Sequence, residues 1–121
     1  MSPFETWVCR RMAALSLLFG QRESALRFLG RIVAANPRDA TAIAAIGYQY
    51  AQAGRKSEAL ALFDRLLALQ PDNAEAHFNL GNVLQAAGQA AEALACYQRA
   101  VALKPDHAEA HNNLGAQFES A

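Results

Sequence analysis

Three histidines and two cysteines are the residues best able to do chemistry in this chain of 121 residues. His107 and His111 stand four apart with Glu109 between them, a spacing that on a helix places two imidazoles on one side. His77 and His111, however, are separated by the step that governs the whole chain, so both are read as packing residues and His107 as part of a turn. No metal site is expected from them. Cys9 and Cys96 have no histidine near them in sequence to serve as a base, and both are read as buried thiols. The glycines are isolated, so no loop cradles a phosphate. The carboxylates recur at helix starts and exposed faces without forming a pair. The expectation is a chain that is not an enzyme and needs no cofactor.

The elements that carry these residues follow from an internal period. Pro37, Pro71 and Pro105 recur at one constant step, and Gly20, Gly54 and Gly88 recur at the same step. It also relates Ala25, Ala59 and Ala93, and relates Gly47, Gly81 and Gly115. Four series with one period define a repeat protein. Gly54 and Gly88 are placed where a helix must stop in a left-handed turn. The small residues at Gly47, Gly81, Ala59 and Ala93 are placed where two helices approach closely. Pro71 and Pro105 close the second helix of each pair. Asp72 with Glu75, and Asp106 with Glu109, have the offset of a helix-start capping pair. Ser2-Pro3-Phe4-Glu5 reads as a cap followed by proline at the first helical position, so the first helix starts almost at Met1. Seven helices are predicted, near 3–19, 22–35, 40–53, 56–69, 74–87, 90–103 and 108–120.

The sequence resembles the tetratricopeptide family over nearly its whole length. His77, Leu80, Gly81, Leu84, Ala93, Tyr97, Ala100 and Pro105 carry the best match, and Ile43, Ile46, Gly47, Tyr50, Gly54, Ala59, Phe63 and Pro71 carry the next. The resemblance divides residues 1–121 into repeats 6–39, 40–73 and 74–107 and a half-repeat 108–121. The first repeat is degenerate, with Ala13, Ser16 and Leu29 at signature places. It implies an all-α fold, an α-solenoid of antiparallel helix hairpins wound as a right-handed superhelix. Leu114 and Phe118 would face a helix beyond residue 121. That edge is expected either to continue in a longer polypeptide or to pair with another chain, allowing self-association.

The same resemblance implies a ligand surface. In the family the first helix of each pair lines a concave groove. Carried onto this chain, the groove holds Tyr48 and Gln52, then Phe78, Asn79, Asn82 and Gln85, then Asn112 and Asn113. Trp7, Arg10 and Arg11 occupy the matching places of the degenerate repeat. Side-chain amides both donate and accept, so they suit the backbone of an extended peptide. Asn79 and Asn113, one repeat apart, resemble two rungs of the asparagine ladder in O-GlcNAc transferase-like repeats, with Ala45 breaking it one repeat earlier. The cationic set of the chaperone-binding subtype is missing, since Glu75 and Glu109 stand where cations would be. The implied function is a protein-interaction scaffold that binds an extended peptide or partner segment. The alternatives are a substrate-recruiting segment of a larger enzyme, such as a glycosyltransferase, and a self-assembling element.

Bulk properties agree with a protein partner. Lys and Arg balance Asp and Glu at 11 each, which favours neither nucleic acid nor a membrane as partner. Arg10, Arg11, Arg22, Arg27, Arg31 and Arg38 nonetheless crowd the first third. About half the residues are apolar, enough for a core without disulfides or metals. No signal peptide or spanning stretch is evident, so the expected location is cytoplasmic.

Overall fold

The computed structural model describes residues 2–120, with side chains through residue 115. Its helices are α1 (Pro3–Leu18), α2 (Arg22–Ala35), α3 (Ala40–Gln52), α4 (Lys56–Leu69), α5 (Ala74–Ala86), α6 (Ala90–Leu103) and α7 (Ala108–Ser120). Among the described residues there is no strand, and no helix is long and apolar enough to cross a membrane.

Each turn repeats the same solution. Gly20, Gly54 and Gly88 adopt φ of 71°, 77° and 80°, the left-handed region where a side chain would be strained. The residue after each glycine donates its N–H back into the helix: Gln21 to the Ser16 carbonyl, Arg55 to Tyr50 and Gln89 to Leu84, at 2.6–2.9 Å. This closes the carbonyls that a helix end leaves open. At the other turn the caps are not where the sequence placed them. Asp39, Asn73 and His107, rather than Asp72 and Asp106, accept from the backbone N–H of Ala42, Ala76 and Ala110 at 3.0–3.2 Å. The capping place therefore follows the repeat step too, one position later than the Asp–Glu offset suggested. Ser2 caps α1 through Glu5 as expected.

The small residues sit at the hairpin crossings. Ala25, Ala59 and Ala93 are fully buried. A Cβ built on Gly81 would lie 2.7 Å from Cε1 of Tyr97, and one on Gly47 would lie 3.3 Å from Cζ of Phe63. The aromatic rings of α4 and α6 thus occupy the space that glycine leaves on α3 and α5. α2 packs on α3, α4 on α5 and α6 on α7, so each hairpin is roofed by the next. The larger core cluster joins Ile43, Phe63, Leu66, Leu84, Tyr97 and Leu114. A smaller one joins Cys9, Ala13, Leu29, Ile32, Ala42 and Ile46 beneath the first hairpin.

Two expectations change here. Leu114 is not on an open edge; it is 9% exposed and part of the core. Its counterparts Leu80 and Ile46 are buried the same way, because this place in the repeat faces the preceding second helix. Phe118 lies outside the residues whose side chains are described. Cys9 is buried as expected, whereas Cys96 is half-buried and burial pushes its thiol up, with the Glu92 and Asp64 charges adding to it.

Candidate functional site

α3 and α5 approach each other directly, leaving a depression of about 140 Å³ between them. Tyr48, Ala51 and Gln52 of α3 line one wall, and Asn79, Asn82, Val83 and Ala86 of α5 the other. Lys56, the first residue of α4, closes one end, its Nζ donating to the Ala86 carbonyl at 2.9 Å. The volume falls below the roughly 300–1,000 Å³ of small-molecule sites and suits one or two side chains of a larger ligand.

Of the residues placed in a groove by resemblance, Tyr48, Gln52, Asn79 and Asn82 meet here. Tyr48 is 46% exposed, a large ring held open to solvent. Asn82 is already engaged. Its Oδ1 accepts from the Tyr97 hydroxyl at 2.7 Å and from Nδ2 of Asn113 at 2.9 Å. Asn82 therefore ties α5 to α6 and α7, and Asn113 uses part of its hydrogen-bonding capacity inside the chain. Among the described residues Asn79 makes no side-chain hydrogen bond within the chain. The two rungs Asn79 and Asn113 are thus inequivalent. Burial pushes the Tyr97 phenol up, opposed by the amide of Asn113.

Phe78 is a correction. It is 7% exposed, with its ring 4.7 Å from that of His107 and 6.0 Å from that of Tyr97. It fills the space under the α6–α7 turn and offers nothing to a ligand. The matching residue one repeat earlier is Ala44, too small to reach so far. Gln85 and Asn112 are exposed but outside the depression, Gln85 on α5 and Asn112 on α7. Arg10 forms an ion pair with Asp39, the cap of α3, so its charge is partnered. Arg11 instead lies 5.3 Å over the Trp7 ring.

Ala51, Lys56, Val83 and Ala86 were missed as lining residues. A signal existed for Lys56: it stands one repeat after Arg22, whose Nε donates to Oε1 of Gln49 on α3. A cation at the start of a second helix reaches the next first helix in both cases. The histidines hold turns. Nε2 of His77 lies 3.0 Å from the Pro71 carbonyl, and Nε2 of His111 lies 2.7 Å from that of Pro105. His107 is buried, with Nδ1 accepting from Ala110 and Nε2 2.9 Å from a carboxylate oxygen of Glu75.

Comparison with known proteins gives this architecture a lineage. The first TPR of Spaghetti, solved bound to the HSP90 peptide SRMEEVD, superposes with a TM-score of 0.91 at 18% identity over 99% of this chain and 95% of that one. The O-GlcNAc transferase of Thermobaculum terrenum matches with a TM-score of 0.88 at 26% identity, covering 100% of this chain and 24% of that chain. YrrB, a TPR protein with an unusual peptide-binding site, matches with a TM-score of 0.83 at 26% identity, covering 89% of this chain and 56% of that chain. This chain thus spans less than two thirds of the latter two. No curated protein matches it in sequence. The TPR repeat family model matches residues 47–88 and 82–120, more than half the chain, and with the repeated turns, caps and glycine–aromatic crossings it makes this chain a member of the tetratricopeptide-repeat family.

Proposed function

We propose that the chain is a protein-interaction module that binds an extended peptide along the α3–α5 groove. The observation that carries this reading is the depression in which the exposed Tyr48 ring stands beside the amides of Gln52 and Asn79. The aromatic face supplies apolar contact, and the amides pair with a peptide backbone whatever its side chains. Lys56 adds a cation at one end, so a ligand with an acidic side chain there gains a charge-assisted bond. Two structural neighbours are described as peptide-binding, which supports the class of ligand. Peptides selected by display against the whole chain provide the test. Tyr48→Ala and Asn79→Ala should each weaken the selected peptides about tenfold or more with helicity and melting unchanged. Affinity unchanged from that of the unsubstituted chain in both variants would remove the groove from the reading.

A second reading is a substrate-recruiting segment of a larger enzyme, as in the glycosyltransferase that this chain matches over 24% of its length. Detection of the endogenous polypeptide with an antibody against this segment tests it. A product near 13 kDa would end this reading.

A further inference from the structure

The aromatic residues at the two glycine crossings differ by one hydroxyl. Phe63 fills the space beside Gly47, and Tyr97 fills the space beside Gly81 one repeat on. They are 1% and 2% exposed, so either ring serves packing equally well. Packing therefore does not account for the hydroxyl of Tyr97, and a hydroxyl brought into a core is unfavourable unless it finds a partner.

Its partner is Asn82. The Oδ1 of Asn82 accepts from the Tyr97 hydroxyl at 2.7 Å and from Nδ2 of Asn113 at 2.9 Å. A carbonyl oxygen has two lone pairs, so this one is fully used. The amide nitrogen is not. Among the described residues neither N–H of Asn82 Nδ2 has a partner in the chain. The oxygen and nitrogen of an amide diverge from Cγ in one plane. With the oxygen held towards α6 and α7, the nitrogen is turned to the other side, where Asn82 lines the depression between α3 and α5. Turning the amide over would set its N–H groups against Nδ2 of Asn113 and leave the Tyr97 hydroxyl proton without its acceptor.

The earlier repeats lack this arrangement. Where α5 and α6 carry Asn82 and Tyr97, α3 and α4 carry Tyr48 and Phe63, and α1 and α2 carry Ala14 and Leu29. The hydroxyl in the core and the amide on the groove occur together or not at all. Asn79, which stands one repeat before Asn113, has no such oxygen to meet at Tyr48 and remains free to turn either end outward.

We infer that Tyr97, from within the core, sets the hydrogen-bonding polarity of the groove: it holds Asn82 as a fixed donor, and the ligand must bring a carbonyl oxygen to that point. This rests on the reading of the α3–α5 groove as a peptide site. It narrows the ligand to a peptide extended over α5 so that one main-chain carbonyl meets Asn82 Nδ2. The donor is neutral, which suits a neutral carbonyl; a carboxylate is drawn instead to Lys56 at the end of the depression. Tyr97 is thus a positioning residue that touches no ligand.

A peptide selected by display against the unsubstituted chain is the probe. Asn82→Asp keeps an acceptor for Tyr97 and Asn113 but has no donor. It should melt close to the unsubstituted chain and bind the peptide about tenfold more weakly or worse. The loss should persist in about 0.5 M salt, which screens the added charge. Tyr97→Phe should weaken the peptide about threefold. Combined with Asn82→Asp it should weaken the peptide no further than Asn82→Asp alone, because Tyr97 acts only through Asn82. Esters weaken a carbonyl as an acceptor. Exchanging the peptide's amides for esters one at a time should reveal a linkage that matters to the unsubstituted chain and not to Asn82→Asp. Neutron diffraction from crystals of the free chain should place both amide hydrogens of Asn82 on the groove side. The inference would be overturned by an Asn82 nitrogen facing Tyr97, by full affinity in Asn82→Asp, by a loss that disappears in salt, or by losses from Tyr97→Phe and Asn82→Asp that multiply. A peptide sensitive to Tyr48→Ala and Asn79→Ala but indifferent to Asn82→Asp would overturn this inference alone. A peptide indifferent to all three would end the groove reading and this inference with it.

Discussion

α1 and α5 occupy the same place in the repeat, two periods apart, yet they are opposite in how they are used. α5 is covered on two sides: Ala76, Leu80 and Val83 lie under α4, while Gly81 and Leu84 lie under α6. What remains open on it is Asn79, Asn82 and Gln85. α1 has one covered side and keeps its large residues, Phe4, Trp7 and Leu18, outside. Helix formation is equally well specified in both, by caps and by a left-handed glycine. The difference shows that burial in a stacked repeat comes from the neighbour and not from the helix itself.

Substitutions can break that comparison, and the deepest core contact should have the largest effect. Phe78→Ala should cost about 3–5 kcal/mol of stability by removing a ring packed on Tyr97 and His107, measurable by urea unfolding. A stability change under about 1 kcal/mol together with lost peptide binding would return Phe78 to the groove. Gly81→Leu comes next, at about 1–3 kcal/mol, because the Tyr97 ring stands where the new side chain begins. Ala13 on α1 already carries a Cβ at the matching place, and Leu29 there replaces the aromatic residue; Ala13→Gly should therefore cost only about 1 kcal/mol of helix propensity.

Removing the cap of α5 with Asn73→Ala should cost about 1 kcal/mol, read from the same unfolding curves. The pH dependence should be smaller still. Burial holds the Tyr97 phenol above its ordinary value, so the folded state keeps that proton longer than the unfolded chain does. Its contribution is fully present below about pH 10, the unfolded value, and is lost as pH rises through the folded one. Tyr97→Phe should flatten the fall in melting temperature across alkaline pH; an unchanged slope would locate the titration elsewhere. The smallest effect belongs to α1. Leu15→Glu and Phe4→Ala should each change stability by under about 0.5 kcal/mol, since Leu15 is 47% and Phe4 71% exposed.

Much of this architecture was legible before any coordinates. The repeat step placed the seven helices close to where they stand, and it assigned Gly54 and Gly88 their left-handed turns. Both depend on backbone geometry a few residues long, which local sequence encodes. The candidate site was legible only in part. Tyr48, Gln52, Asn79 and Asn82 converge as the repeat positions imply, whereas Phe78 turns inward and Leu114 is covered.

The residues themselves determined the period, the helices, the turns and the glycine–aromatic crossings, because each is set within one hairpin. Tertiary structure alone decided which faces are shared between hairpins. Phe78 is core and Tyr48 is surface because the α6–α7 turn closes over one ring, whereas the described residues leave the other 46% exposed. Asn82 became a tie between helices only when the Tyr97 hydroxyl and Asn113 came within hydrogen-bonding distance. Those distances join residues 15 and 31 positions apart, beyond the reach of any local pattern.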